Sequence, residues 1–306
     1  MARIVVYLPK SAAPRMEKMF IIVPGMEVNF PSDFKIKART LSVRSKKAAL
    51  HATVSLLISP YQKCGVPIPI SYSVCITQYV ECEYCDFNVS DGPISGNFTV
   101  RRELVLKIKS GAIDANITMI SNATNASFGT TVDITTTTGP INVDFALAAV
   151  DPETEEEVPS GGFYQIATRS RHAPVRLEVV DAPVDSTLFL SSKNIQCPLE
   201  VYLHPTYQGR FSSEAFIGDA PLGIRGYTTD PSGADRKRNL VWDAQSIPPG
   251  IHHVMSGEVW WGDRPGPPYP DGPYITFGSV QTKSIIGDPV VFLHLSNPDT
   301  IPVFVN

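Results

Sequence analysis

Four of the five cysteines, Cys64, Cys75, Cys82 and Cys85, crowd into one stretch of the chain. A Cys82-x-x-Cys85 pair with two thiols upstream is the raw material of a four-thiolate zinc site, although such sites normally show two close pairs. In an oxidising compartment the same residues would form two local disulfides, and in a reducing one they would be partly buried free thiols. Three readings therefore stay open. A second group is Trp260, Trp261 and Asp263 in Gly257-Glu-Val-Trp-Trp-Gly-Asp263. Indole faces beside a carboxylate suit a sugar, but adjacent residues of a strand point to opposite sides, so one tryptophan is expected in the core.

Paired carboxylates would serve polysaccharide cleavage, one as acid and one as base or nucleophile. Asp114 and Asp144 are candidates on outward-facing positions, three and five residues after Gly111 and Gly139. Nothing in the spacing makes them converge, and solitary surface carboxylates are the commoner case. The acidic run Asp151–Glu157 lacks the glycine and asparagine spacing of a calcium loop and reads as a solvated hairpin tip. His172, His204 and His294 are scattered, and no G-x-S-x-G, P-loop or H-E-x-x-H motif occurs. The expectation is a protein that is not an enzyme and carries no cofactor.

The elements that would carry these residues are strands. Leu104, Leu106 and Ile108 alternate with Val105, Lys107 and Lys109, Ser110-Gly111 makes a turn, and Ile113, Ala115, Ile117 and Met119 resume the apolar face. The same strand, turn and strand recur at Val132–Phe145, Tyr164–Val179, Leu188–Leu203 and Leu41–Leu56, and more weakly around Gly218-Asp219 and Gly287-Asp288. Turns roughly 23 to 32 residues apart fall within the range of stacked repeats. The sequence predicts an all-β chain built as a β-solenoid, with a pair of β-sandwiches as the alternative.

The domain reading is an apolar arm over residues 1–34, one solenoid over 35–300 interrupted by a cysteine-bearing insertion at 58–92, and a terminal strand at 301–306. Ile4, Val6 and Leu8 in the arm and Ile301, Val303 and Val305 at the other end are strand formers. They would cap the open ends of the stack or add to a neighbouring molecule, joining copies head to tail into a homo-oligomer or filament.

Composition excludes several classes. With 43% hydrophobic residues the chain has ample material for a core. Only 18% of residues are charged and the formal net charge is −4, which supplies no long-range pull on nucleic acid or anionic lipid. No apolar run is long enough to span a membrane, and none near the start resembles a signal peptide, so the expected location is cytoplasmic. Clustered cysteines and the sequons at Asn88, Asn97, Asn116, Asn122 and Asn125 favour the alternative, an extracellular or cell-surface protein.

The segments SGNFTVRRELVLKIKSGAIDANITM (95 to 119), DAPVDSTLFLSSKNIQCPLEVYLHPTYQGRF (181 to 211), DPSGADRKRN (230 to 239) and GEVWWGD (257 to 263) resemble a family of mushroom-type fungal proteins known only as a domain of unknown function. Its strand-turn motif is in turn similar to that of bacterial putative-adhesin solenoids. This chain departs from the common Thr-Ser-Asn-Gly turn, having Lys-Ser-Gly, Thr-Thr-Gly, Ser-Arg-His and Lys-Asn-Ile instead. The resemblance implies fungal origin, a β-solenoid and no established activity. The expected function is thus an adhesin-like structural or interaction protein, with a carbohydrate-binding module and a polysaccharide-active enzyme as alternatives.

Overall fold

The computed structural model describes residues 16–23, 28–29, 36–45, 50–51, 74–124, 129–246, 252–263, 278–295 and 303–304. In chain order the strands are β1 (Met16–Val23), β2 (Val28–Asn29), β3 (Ile36–Ser45), β4 (Leu50–His51), β5 (Val74–Asp91), β6 (Ile94–Ser110) and β7 (Ile113–Asn122). Next come β8 (Thr130–Thr136), β9 (Ile141–Val150), β10 (Glu157–Val158), β11 (Phe163–Ser170), β12 (Val175–Asp181), β13 (Thr187–Asn194) and β14 (Leu199–Tyr202). The last seven are β15 (Gly209–Ile217), β16 (Leu222–Tyr227), β17 (Arg238–Ser246), β18 (His253–Trp261), β19 (Gly278–Ile286), β20 (Pro289–Leu295) and β21 (Val303–Phe304).

The chain is an all-β solenoid with two facing, mostly parallel sheets. Each coil runs up one strand of sheet I, makes a tight turn, returns along sheet II, and crosses back by a longer connection. Sheet I stacks β1, β3, the second half of β5, the second half of β6, β8, β11 and β13 in parallel. Sheet II stacks the first half of β6, then β7, β9, β12 and β14. The sandwich alternative fails because, apart from β10 and the β17–β18 hairpin, the strands pair in parallel with their equivalents in the adjacent coils.

Alternation sets the core. In β8 the buried residues are Thr130, Val132, Ile134 and Thr136, and in β9 the alternation buries Ile141, Val143, Phe145, Leu147 and Ala149, with Val150 also buried at its end. In-register stacking puts like on like, so Leu104, Val132, Ile166 and Leu190 form one inner column. The tight turns are equally constrained. A Cβ on Gly139 would fall 1.4 Å from the Gly111 carbonyl oxygen, and one on Gly111 would fall 2.3 Å from that of Gly92.

The C-terminal third breaks the sequential order. β19 lies between β13 and β15, and β20 between β14 and β16. The chain therefore skips a coil, builds β15–β16, forms the β17–β18 hairpin antiparallel to β15, and returns to fill the vacant position. Buried hydroxyls fit the returning coil to its place. Thr168 and Ser192 Oγ atoms lie 2.5 Å apart, Thr282 sits opposite Ser192, and Thr282 Oγ1 donates to Ser213 Oγ at 2.9 Å. Ser213 Oγ donates in turn to the Pro289 carbonyl at 2.8 Å.

Two domain boundaries need correction. Residues 74–91 are no part of an insertion, since β5 pairs with β3 and β6 along both sheets. Residues 16–23 are no part of an arm, since β1 is a regular sheet I strand. The rest of the arm, including residues 1–15, lies outside the described residues; at the opposite end the β17–β18 hairpin covers the edge of β15.

Deleting β19 and β20 removes the only parallel neighbours of β15 and β16 among the described residues. Truncation after residue 277 should therefore expose 209–227 to limited proteolysis while 94–203 stays protected. If 209–227 remained resistant, its docking would not depend on the inserted coil. Gly139→Ala should lower stability by about 1–3 kcal/mol or more, read from denaturant melts, because backbone rather than a flexible side chain must move.

Candidate functional site

The residues singled out by sequence do not assemble into one site. Trp261 is 3% exposed, its indole N–H donates to the Pro205 carbonyl at 3.0 Å, and the Arg238 guanidinium lies 5.0 Å above its ring. Arg238 is itself buried, donates to the Pro205 and Tyr207 carbonyls, and is pulled down to a pKa of about 10 by burial. Trp261 is thus part of the packing between hairpin and stack and offers no ring face to a sugar. Trp260 points to the other side of β18 and is half-buried, opposite Asn239, while Asp263 is exposed beyond the strand end.

Cys82 and Cys85 are joined in a disulfide, both sulfurs in the core where β5 bends from sheet II into sheet I. They replace the aliphatic pair Val100 and Leu104 of the next coil. With both thiols bonded to each other, the four-thiolate site loses half its ligands. Cys75 lies in β5 opposite Ser95, and Cys64 is outside the described residues. The fifth cysteine, Cys197, is free and half-buried at a tight turn. Among the described residues no group of three or more ligating side chains comes together, and no helix is long and apolar enough to cross a membrane. Ile4, Val6, Leu8, Ile301 and Val305 lie outside the described residues. Val303 falls in β21, which pairs in parallel with β17 of the same chain, so this strand is used internally.

The two outer faces are the remaining surfaces, and they differ. On sheet II the charges satisfy one another. Arg176 donates to Asn142 at 3.1 Å, to Asp144 at 3.2 Å and to Glu178, and Arg225 closes on the other Glu178 oxygen. Glu178 is 9% exposed between the two guanidiniums, which also flank the Tyr202 ring at 5.2 and 4.9 Å. Tyr202 stacks on Phe292 at 4.2 Å, and Phe292 lies over Gly223, where any Cβ would strike its ring. Asp114 pairs with Asn142 and Asp144 with Asn116, so the two carboxylates stand in adjacent columns and do not face each other.

Sheet I presents a column of cations. In register, Arg44, Asn88, Lys107, Thr135, Arg169, Lys193, Lys283 and Glu214 follow one another across eight strands. Arg44 is paired with Asp86 at 3.4 Å and Lys283 with Glu214 at 2.9 Å. Lys107, Arg169 and Lys193, together with Lys109 and Arg171 beside them, have no acidic partner among the described residues. At the column's end, burial alone would raise the Glu214 carboxyl, but Lys283 and His252 outweigh it and hold it below its usual value. Sequence reading missed this column because its members are far apart in the chain; only the register brings them together.

Comparison with family models, with curated proteins and with solved structures finds no match.

His204 and His294 stand side by side on sheet II. Burial pulls both below the ordinary imidazole value, and Arg238 acts the same way on each. His204 Nδ1 accepts the Thr206 backbone N–H at 3.3 Å, which suits the neutral ring. Because the folded values are depressed, the unfolded chain binds more protons once pH falls toward the ordinary value of about 6.5, so stability should drop with acidification. Urea midpoints should fall between pH 7 and 5, and His204→Asn with His294→Gln should flatten that slope. An unchanged slope would assign it to other groups.

Proposed function

We propose that the protein is a non-enzymatic, adhesin-like interaction protein that holds an extended anionic partner against the outer face of sheet I. The observation that carries this reading is the direct opposition of Arg169 to Lys193, and of Lys193 to Lys283, on consecutive strands. Like charges directly opposite each other in a sheet are destabilising. On sheet II comparable charges are neutralised by neighbours; on sheet I Lys283 is likewise held by Glu214, whereas Arg169 and Lys193 are left facing solvent. An anionic partner would relieve the repulsion, and its polyvalent attachment to a rigid stack is what adhesion requires. A net charge of −4 does not oppose this, because screening limits each field to about 8–10 Å and the local face decides contact.

A second reading, self-association, rests on β1. Among the described residues it pairs only with β3, and Phe20 and Ile22 on its outer surface are 65% and 71% exposed. An open strand with apolar side chains is a template for another chain. This support sits at the N-terminal edge, while the strand at the other end is paired internally.

Retention on a sulfated-polymer resin tests the first reading. The full chain should bind at low ionic strength and elute as salt rises, and Lys107→Ala/Arg169→Ala/Lys193→Ala should flow through. The same triple variant should be no less stable than the parent, since it removes repulsion. Retention equal to that of the parent would overturn the reading. For the second, sedimentation velocity should show concentration-dependent association that Phe20→Lys/Ile22→Lys abolishes; a monomer at all concentrations would remove it.

A further inference from the structure

We propose that the partner on sheet I is a linear acidic polysaccharide with one anionic group per sugar, lying along the solenoid axis beside the cationic column. The inference rests on the binding face assigned above and names its ligand class.

Strands in a sheet repeat every 4.7–4.9 Å, a spacing comparable to the length of one pyranose unit in an extended glycan. The column thus presents one side chain per sugar. The cations Lys107, Arg169 and Lys193 meet the anionic groups of their sugars, while Asn88 and Thr135 meet ring hydroxyls, and the anionic groups of those two sugars gain no cation from their own coil. Lys107 and Arg169 are two strand spacings apart, roughly 9.5 Å, and Arg169 and Lys193 one, about 4.8 Å. Lys109 near the end of β6 and Arg171 just past the end of β11 lie two residues farther toward the tight turn, and both are exposed. They give the cationic strip a second row.

The neighbouring column supplies the floor. Val105, Asp133, Ala167, Ser191 and Gln281 are opposite one another in register and half-buried or exposed. Apart from Gln281 these side chains are short, so a flat ring can lie against them with its anionic group turned to the long cationic side chains. The column continues from Val105 to Asp86, which Arg44 neutralises, so Asp133 is the one carboxylate of this floor without a cation partner among the described residues. It accepts a hydrogen bond from Thr135 Oγ1 at 3.3 Å in the coil where the column carries no cation. Repulsion from Asp133 therefore falls on a sugar that gains nothing from its own coil, and the strongest segment runs from Arg169 to Lys193.

Nucleic acid is the competing polyanion. Single strands are held by aromatic platforms on which bases stack, and this floor of Val, Asp, Ala, Ser and Gln offers none, the half-buried Phe163–Phe189 pair lying outside it. A duplex winds its phosphates around an axis and cannot follow a straight column.

Titration calorimetry on the full chain should show binding of polygalacturonate at low salt, weakening as salt rises. The triple variant Lys107→Ala/Arg169→Ala/Lys193→Ala should bind at least tenfold more weakly, and Asp133→Asn should bind more tightly. Fully methyl-esterified polygalacturonate, of the same shape but uncharged, should not bind. Tighter binding of poly-uridylate or of phosphatidylserine vesicles would overturn the polysaccharide assignment while leaving an anion-binding face, whereas equal binding of the uncharged ester would overturn both. Failure of every anionic polymer to bind would overturn the assignment and the function beneath it.

Discussion

Everything in this molecule depends on one requirement: each strand's backbone N–H and C=O groups are satisfied by the equivalent strand of the next coil. Parallel in-register pairing fixes each residue above its counterpart, inside and outside alike. Inside, this yields columns such as Leu104, Val132, Ile166 and Leu190. At the turns it forbids side chains where successive backbones meet, hence glycine at Gly111 and Gly139. The cost is that a stack ends in unpaired backbone groups. At the C-terminal end of sheet I, β18 reverses direction against β15 and converts the parallel edge into a hairpin.

The inserted coil shows how register can be specified when sequence order does not supply it. β13 must choose β19 and not β15, although β15 follows sooner in the chain and closes a shorter loop. From β11 onward the inner column that starts as Leu106 and Ile134 changes to Thr168, Ser192, Thr282 and Ser213. Buried hydroxyls tolerate only neighbours that complete their hydrogen bonds, so they discriminate more sharply than interchangeable aliphatic groups. The order of coils is thus written in polar atoms within an otherwise apolar core.

These features differ in how far the sequence discloses them. The alternation from Leu104 to Met119 is directly legible, because a half-buried strand has period two and the turn carries glycine. β5 was less so: its inward positions hold Val80, Cys82, Cys85 and Phe87, and cysteines in the place of aliphatic residues read as a chemical site. Trp260 and Trp261 disclosed that one of them would be buried but not which, since that is set by the pairing of β18 with β15. The inserted coil and the cationic column were illegible for a common reason. Both are statements about which strand lies beside which, and connections as different as 123–129 and 228–277 hide that adjacency.

The outer faces carry the last step. A register that aligns core residues also aligns surface charges, so every solenoid of this kind has to manage like charges at strand spacing. Sheet II does so within the fold, where Arg176 and Arg225 share Glu178 and Arg176 also takes Asp144. Sheet I uses the same device toward its two ends, as in Arg39 with Glu83, Arg44 with Asp86, Lys283 with Glu214 and Arg210 with Glu258. Single substitutions at Thr135, Ala167 or Ser191 could place a carboxylate beside Lys107, Arg169 or Lys193, because these positions lie opposite or diagonal to them in the sheet. The fold therefore has an available local remedy on both faces and uses it fully on one. What separates them is that the charges on sheet I remain available to something outside the chain.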